Sequence, residues 1–280
     1  MNINEALPPI FTAHLYPKIE GLLIELLRSL STDDWGKQTL AQQWKVKDVA
    51  AHLLDTQLRK LSIVRDGDVG EAPNAALDAD IVSFINRLNR EGVAVYRRLS
   101  PQVLISLMEL ASHESGEFHL SLDPFAKAKF AVSWAGEEES ENWFDTAREY
   151  TERWHHQEQI RMATDKPGIM TRELYFPVLD TFMRALPFHY REVQAQSGNL
   201  VLINVLGECG GSWFLYRDET GWKLVTQAIG NKIADVTLPQ EIAWRIFTKG
   251  IDRKSALAQV TVKGDAQVGL HILTMLSIVG

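Results

Sequence analysis

A single cysteine, Cys209, occurs in the 280 residues of the chain. With no second thiol the chain can close no internal disulfide, which fits a reducing compartment and leaves core packing to hold the fold. Basic residues are outnumbered as well: 29 Lys and Arg stand against 36 Asp and Glu, a formal charge of -7. Phosphate binding needs a basic surface, so this balance argues against a nucleic-acid partner. No apolar run reaches the roughly 20 residues needed to cross a bilayer, which argues against a membrane protein. The opening stretch, with Pro8 and Pro9, has no basic segment ahead of a long apolar one. No secretory signal is therefore expected, and the cytoplasm is the default location. Internal repeats and low-complexity tracts are missing too. What is present is 45% hydrophobic composition, enough at this length to bury the cores of one or two domains.

Helical spacing dominates the first part of the chain. Ile19, Leu22, Leu23, Leu26 and Leu27 predict a helix from about Pro17 to Leu30. A second is expected from Val46 to Val64, with Val49, Leu53, Leu54, Leu58 and Leu61 on one face, before a loop from Gly67 to Asn74. A third runs from about Asp78 to Leu99. Ser100 and Pro101 then form a cap and first-turn pair for a shorter helix through Leu110. Leu122 to Glu141 breaks the pattern and predicts a long connection, a frequent site of function. The last helix of this half spans about Asn142 to Ala163.

Asp165-Lys166-Pro167-Gly168 is the strongest boundary signal, because proline and glycine resist extension of the helix. It predicts domains of residues 1–166 and 167–280. After a helix from Arg172 to Ala185 the period shortens to two, with strands at Leu200–Val205, Ser212–Arg217, Trp222–Val225, Ala234–Thr237 and Val260–Val262. Helices follow Pro239 and run from Ala266 to Ile278. Strands grouped first and helices after give an α+β second domain, so the fold class is α+β and multidomain.

Two segments carry candidate chemistry. Glu152-Arg153-Trp154-His155-His156 places a carboxylate and an imidazole four residues apart, one helical turn, and His52 offers a nitrogen from another helix. Two histidines and a glutamate can hold a divalent ion with one tetrahedral position left for water or substrate, the composition of a catalytic metal site. His155 competes with His156, since i,i+3 also faces Glu152. Periodicity opposes this reading. Glu149, Glu152, His156 and Ile160 share a face nearly opposite Trp143, Ala147, Tyr150 and Trp154, and His52 lies off the apolar stripe of its own helix. All three candidates would then face solvent, and Glu152 with His156 reads equally as an exposed pair worth a few tenths of a kcal/mol. Burial of the group calls for a covered face, and the sequence predicts a cleft formed with the second domain.

Other residues offer less. Glu149 could orient an imidazole or be a solvated charge. His113 and His119 match no recurring ligand spacing and read as loop or surface residues. Cys209 has no basic sequence neighbour to lower its pKa and reads as a buried, inert thiol. Gly207 to Gly211 lacks the lysine and following helix of a phosphate loop. Arg245 could clamp a substrate carboxylate, with a surface arginine as the plainer reading.

Trp-x-Val-x-Asp-Val-x-x-His from Trp44 to His52, and Glu-x-Trp-x-His from Glu152 to His156 followed by Gln157, Ile160 and Arg161, resemble the metal-ligand segments of the DinB-like superfamily. The closer match is the branch containing mycothiol-dependent maleylpyruvate isomerase. Gly211-x-Trp213, the Trp222 segment, Ala234–Leu238, Ala243–Thr248 and Val262-x-Gly264-Asp265 extend the resemblance over nearly the whole chain. It implies a DinB-like four-helix bundle and a smaller C-terminal domain similar to sterol carrier protein 2. It also implies a divalent ion, most often zinc, on His52, Glu152 and His156, with His156 preferred over His155 because Trp154 anchors the match.

The resemblance further implies an enzyme acting on a small electrophilic substrate with a low-molecular-weight thiol: mycothiol, bacillithiol or glutathione. The thiolate would add to an activated double bond, the adduct rotate, and elimination return the other geometric isomer, whereas an S-transferase would stop at the adduct. Rival readings are a small-ligand carrier with a structural metal, suggested by Trp and Phe in the C-terminal half, and a metal-assisted hydrolase.

Overall fold

The computed structural model describes residues 7–74, 77 and 79–278, which divide into two compact units. One consists of Thr12–Lys129 and Glu152–Ile169; the other holds Phe130–Thr151, Met170–Ile278 and the described residues up to Phe11. One of the crossings between them, at Thr151 and Glu152, falls within a helix.

Helices α1 (Tyr16–Arg28), α2 (Val46–Lys60), α3 (Ile81–Tyr96) and α4 (Pro101–Ser121) build the first unit, and α5 (Asn142–Thr164) enters it at Glu152. Their apolar stripes meet in one core: Leu23 and Leu27 of α1, Val49, Ala50 and Leu53 of α2, Leu104 and Met108 of α4, and Ile160 of α5. Each such valine, leucine, isoleucine or methionine, fully buried, contributes about 1.5–3 kcal/mol. At the start of α2 the Lys45 backbone N–H donates to Asp48 Oδ2 at 3.0 Å, and Arg97 donates to the other oxygen at 2.7 Å. That carboxylate satisfies an otherwise unpaired N–H and lies at the positive end of the helix. Gly92 of α3 lets the buried Asp55 of α2 approach: a Cβ there would lie 2.2 Å from its carboxyl carbon.

Two helix limits differ from the sequence expectation. α4 continues to Ser121 rather than ending near Leu110, because Ala111, Ser115, Phe118 and His119 prolong its buried stripe. Polar Ser112, His113 and Glu114 hid that continuation in the sequence. α3 starts at Ile81, with Asp80 Oδ1 accepting the Ser83 N–H at 2.8 Å; Asp78, its expected start, lies outside the described residues.

The second unit contains α6 (Arg172–Met183), α7 (Leu186–His189) and a five-stranded sheet of β1 (Asn199–Leu206), β2 (Gly211–Arg217), β3 (Trp222–Val225), β4 (Asn231–Pro239) and β5 (Thr261–Gly264). The order is β3-β2-β1-β4-β5, with β1 and β4 parallel and the remaining pairs antiparallel. Val201, Ile203 and Val205 of β1 are buried while Leu202 and Asn204 between them are half-buried, the alternation of a sheet with one covered face. α8 (Gln240–Phe247), α9 (Arg253–Leu257) and α10 (Ala266–Leu270) follow. The α+β class is therefore present.

The final helix is shorter than its apolar composition predicts. It ends at Leu270 and tightens into a 3-10 turn over His271–Thr274. A specific contact redirects the chain there: His271 Nε2 donates to the His189 carbonyl at 3.1 Å, and His189 Nε2 donates to the His271 carbonyl at 3.2 Å.

Candidate metal centre

Every residue of α5 from Arg153 to Arg161 is buried, as is every residue of α2 from Asp48 to Asp55. A helix enclosed on all sides has no solvent face, so the opposition between ligand face and apolar stripe loses its meaning. The solvent-facing positions expected from periodicity are corrected accordingly: His52 is 5% exposed and His156 7%. The Glu152 side chain keeps 28% exposure, enough to leave the group accessible.

The structure brings His52, Glu152 and His156 together within the first unit. One donor atom from each falls in a set whose members lie within 4.8 Å of one another. His156 Nε2 is 3.5 Å from Glu152 Oε2, against 3.9 Å for His155 Nε2. Donors about 2.0–2.1 Å from a tetrahedral zinc stand roughly 3.4 Å apart, so the His156–Glu152 gap already has ligand spacing. The His52 and His156 rings meet edge to face, centroids 4.7 Å apart.

Electrostatics favours the ligand form of His52. Burial is the first cause that drives its pKa well below the ordinary histidine value, and His156, Arg59, Arg153 and His155 add positive potential. The imidazole is thus neutral at physiological pH, as metal ligation requires. His52 Nδ1 is a buried nitrogen with no hydrogen-bond partner among the described residues. Orphaned buried polar atoms are uncommon and call for an explanation. An orphaned nitrogen, a neutral imidazole and a neighbouring carboxylate together fit a divalent cation of the zinc type.

Three neighbours complete the site, and sequence reading assigned none of them a role. Gln159 Oε1 lies 3.0 Å from His156 Nδ1. Trp44 packs on both rings, with centroids 4.6 Å from His52 and 5.9 Å from His156. Arg153 donates to the Leu53 carbonyl at 2.7 Å. The i,i+3 spacing of His156 and Gln159 was the one available signal, and a glutamine at that spacing is too common to mark a site.

The remaining candidates lie elsewhere. Glu149 Oε1 accepts from Arg148 at 2.6 Å. His113 is exposed on α4, as expected, but His119 is buried and stacks on Tyr16 with centroids 4.1 Å apart, which corrects its surface reading. Cys209 is buried, and burial together with Glu208 raises its thiol pKa, so it has the character of an inert thiol. Arg245 belongs to the other unit, where its Nε donates to the Gly250 carbonyl at 3.2 Å. Among the described residues, no helix is long and apolar enough to cross a membrane.

Residues 18–161 match the family described as the mycothiol maleylpyruvate isomerase N-terminal domain. No curated protein matches the chain. Among solved structures, an alanine mutant of mycothiol-dependent maleylpyruvate isomerase is similar at 14% identity and a TM-score of 0.55, over 95% of this chain and 98% of that one. A second structure of mycothiol-dependent maleylpyruvate isomerase is similar at 15% identity and a TM-score of 0.51, with the same coverage. At these identities the likeness establishes a shared fold.

Proposed function

The chain belongs to the mycothiol maleylpyruvate isomerase N-terminal domain family, and from this premise we propose that it is a metal-dependent isomerase using a low-molecular-weight thiol as cofactor. The observation that carries this reading is the convergence of His52, Glu152 and His156 donor atoms within 4.8 Å. His52, Glu152 and His156 would hold a divalent cation, zinc by the chemistry of the donors, and it would supply Lewis acidity that favours the thiolate form of a thiol.

The chain's own residues set up that chemistry. Burial keeps His52 uncharged, Gln159 directs the lone pair of His156, and Glu152 brings the negative charge. Trp44 fixes both imidazole planes. The substrate is a small electrophile whose cis double bond is conjugated with a carbonyl. Thiolate sulfur forms a C–S bond to one alkene carbon while the π pair moves into the carbonyl. Rotation about the resulting single bond and expulsion of the thiolate restore the alkene in its trans geometry. The thiol returns unchanged, which makes it a cofactor. Mycothiol is the thiol named for the similar solved structures, and maleylpyruvate is the corresponding substrate. Arg245 is proposed to bind a substrate carboxylate.

Elemental analysis of the purified protein, with an absorbance assay of maleylpyruvate isomerisation in the presence of mycothiol, tests the reading. One metal per chain is expected, lost in His52→Ala and His156→Ala together with activity. Metal-free wild type, with both variants unchanged in metal content and stability, would sink it.

A further inference from the structure

Beside the ligands the chain buries a charge that the proposed chemistry does not use. Arg153 follows Glu152 on α5 and is 4% exposed. Its Nη1 donates to the carbonyl of Leu53, the residue after His52, at 2.7 Å. Nη2 lies 3.4 Å from Thr56 Oγ1, and that hydroxyl reaches the carbonyl of His52 itself at 3.1 Å. Nε lies 3.4 Å from Oε1 of Glu20 on α1. Glu20 is equally buried and accepts from Gln57 Nε2 of α2 and Ser112 Oγ of α4, both at 2.8 Å.

A buried ion pair is a poor source of stability, since desolvation can exceed the attraction and apolar replacements of similar volume are often neutral or better. What an apolar side chain at 153 cannot do is fix register. Helices packed through apolar ridges can slide, whereas a guanidinium bonded to main-chain oxygen ties one backbone to another at a defined height. Each helical residue rises about 1.5 Å, and a slide of that size between α2 and α5 would carry His52 away from Glu152 and His156.

We infer that Arg153, braced by Glu20, is a positioning residue that locks α2 to α5 in the register at which the three donors meet. This rests on the metal-centre reading above. It predicts a role in metal affinity and ligand geometry separate from any role in turnover.

The test uses the full chain, stripped of metal and titrated with zinc against a chromophoric chelator, with cobalt(II) as a spectroscopic stand-in. Arg153→Met should bind zinc about tenfold or more weakly, the size of effect seen for groups that orient ligands. Its cobalt visible bands should lose intensity, and Arg153→Lys should recover part of both. Met108→Ala, a truncation of a fully buried core side chain on α4, controls for stability and should bind zinc as wild type does. The inference is overturned if Arg153→Met binds within about twofold of wild type, or if Met108→Ala weakens binding as much. Should Arg153→Met fail to fold, Arg153→Lys decides, and an unchanged zinc affinity and cobalt spectrum overturn it. Wild type that binds no zinc sinks the metal-centre reading itself, an outcome distinct from equal binding by wild type and variant.

Discussion

Gln159 Oε1 stands 3.0 Å from Nδ1 of His156. An amide oxygen can only accept, so Nδ1 of the ring is the donor in this bond, and Nε2, the atom 3.5 Å from Glu152, is the nitrogen turned toward the carboxylate. One hydrogen bond thus selects the tautomer and holds the ring plane that a metal site requires.

Gln159→Leu should therefore weaken zinc binding by about tenfold, while Gln159→Glu, which keeps an acceptor for Nδ1, should bind at least as tightly as wild type. Chelator competition on the two variants checks this. Equal affinity for Gln159→Leu and wild type would remove Gln159 from the site.

A second prediction concerns the packing of α2 against α3. α2 is held close to α3 because Gly92 has no side chain where the Asp55 carboxyl sits. Asp55 in turn accepts from Arg59 Nε at 2.8 Å, so it cannot move without breaking that pair. Gly92→Ala should cost about 1–3 kcal/mol of stability, the usual range for overpacking, measured by urea unfolding. Adding Asp55→Ala should return part of the loss. An unchanged midpoint in Gly92→Ala would show that the helices yield at no cost.

How much of this was legible in the sequence depends on what local patterning encodes. The grouping of His52, Glu152 and His156 was readable because Glu152 and His156 lie one turn apart and Trp44 to His52 forms a recognisable segment. The burial of that set was not readable. Amphipathic periodicity assumes one wet face, and α2 and α5 have almost none over the stretches that carry the donors. The strands were found because β-branched residues such as Val201, Ile203 and Val205 crowd short segments bounded by turn residues. The far half of α4 was missed because its polar residues face inward, Ser112 toward Glu20 and His119 against Tyr16. Arg153 carries no local signature, since its partners lie elsewhere in the fold, and the i,i+3 spacing of Gln159 from His156 is too common to mark a site.

Arg245 separates a structural from a recognition role by kinetics. Its Nε closes the end of α8 on the Gly250 carbonyl, and the Gly250 N–H returns a bond to the Arg245 carbonyl at 2.7 Å. Arg245→Gln should cost about 1 kcal/mol through the lost side-chain bond. If the arginine also holds the substrate carboxylate, KM for maleylpyruvate should rise well beyond what that loss of stability explains. Unchanged KM and kcat would confine Arg245 to the helix end.

The last prediction is a pH dependence built into the sheet-bearing unit. His189 and His271 stack with ring centroids 4.4 Å apart and exchange hydrogen bonds with each other's carbonyl. Burial lowers the His189 pKa, and the neighbouring His271 and Arg191 lower it further, against a raising contribution from its bond to the His271 carbonyl. A histidine whose pKa is lower folded than unfolded binds fewer protons in the native state. The stability it supports is therefore present above the unfolded value, begins to fall as pH drops through about 6.5, and stops falling below the folded value. The urea midpoint should accordingly decrease from pH 7.5 to pH 5. His189→Gln keeps a donor for the carbonyl but cannot be protonated, so its midpoint should fall less over the same interval. The same acid dependence in His189→Gln and wild type would assign the effect to other groups and leave the stacked pair without a part in it.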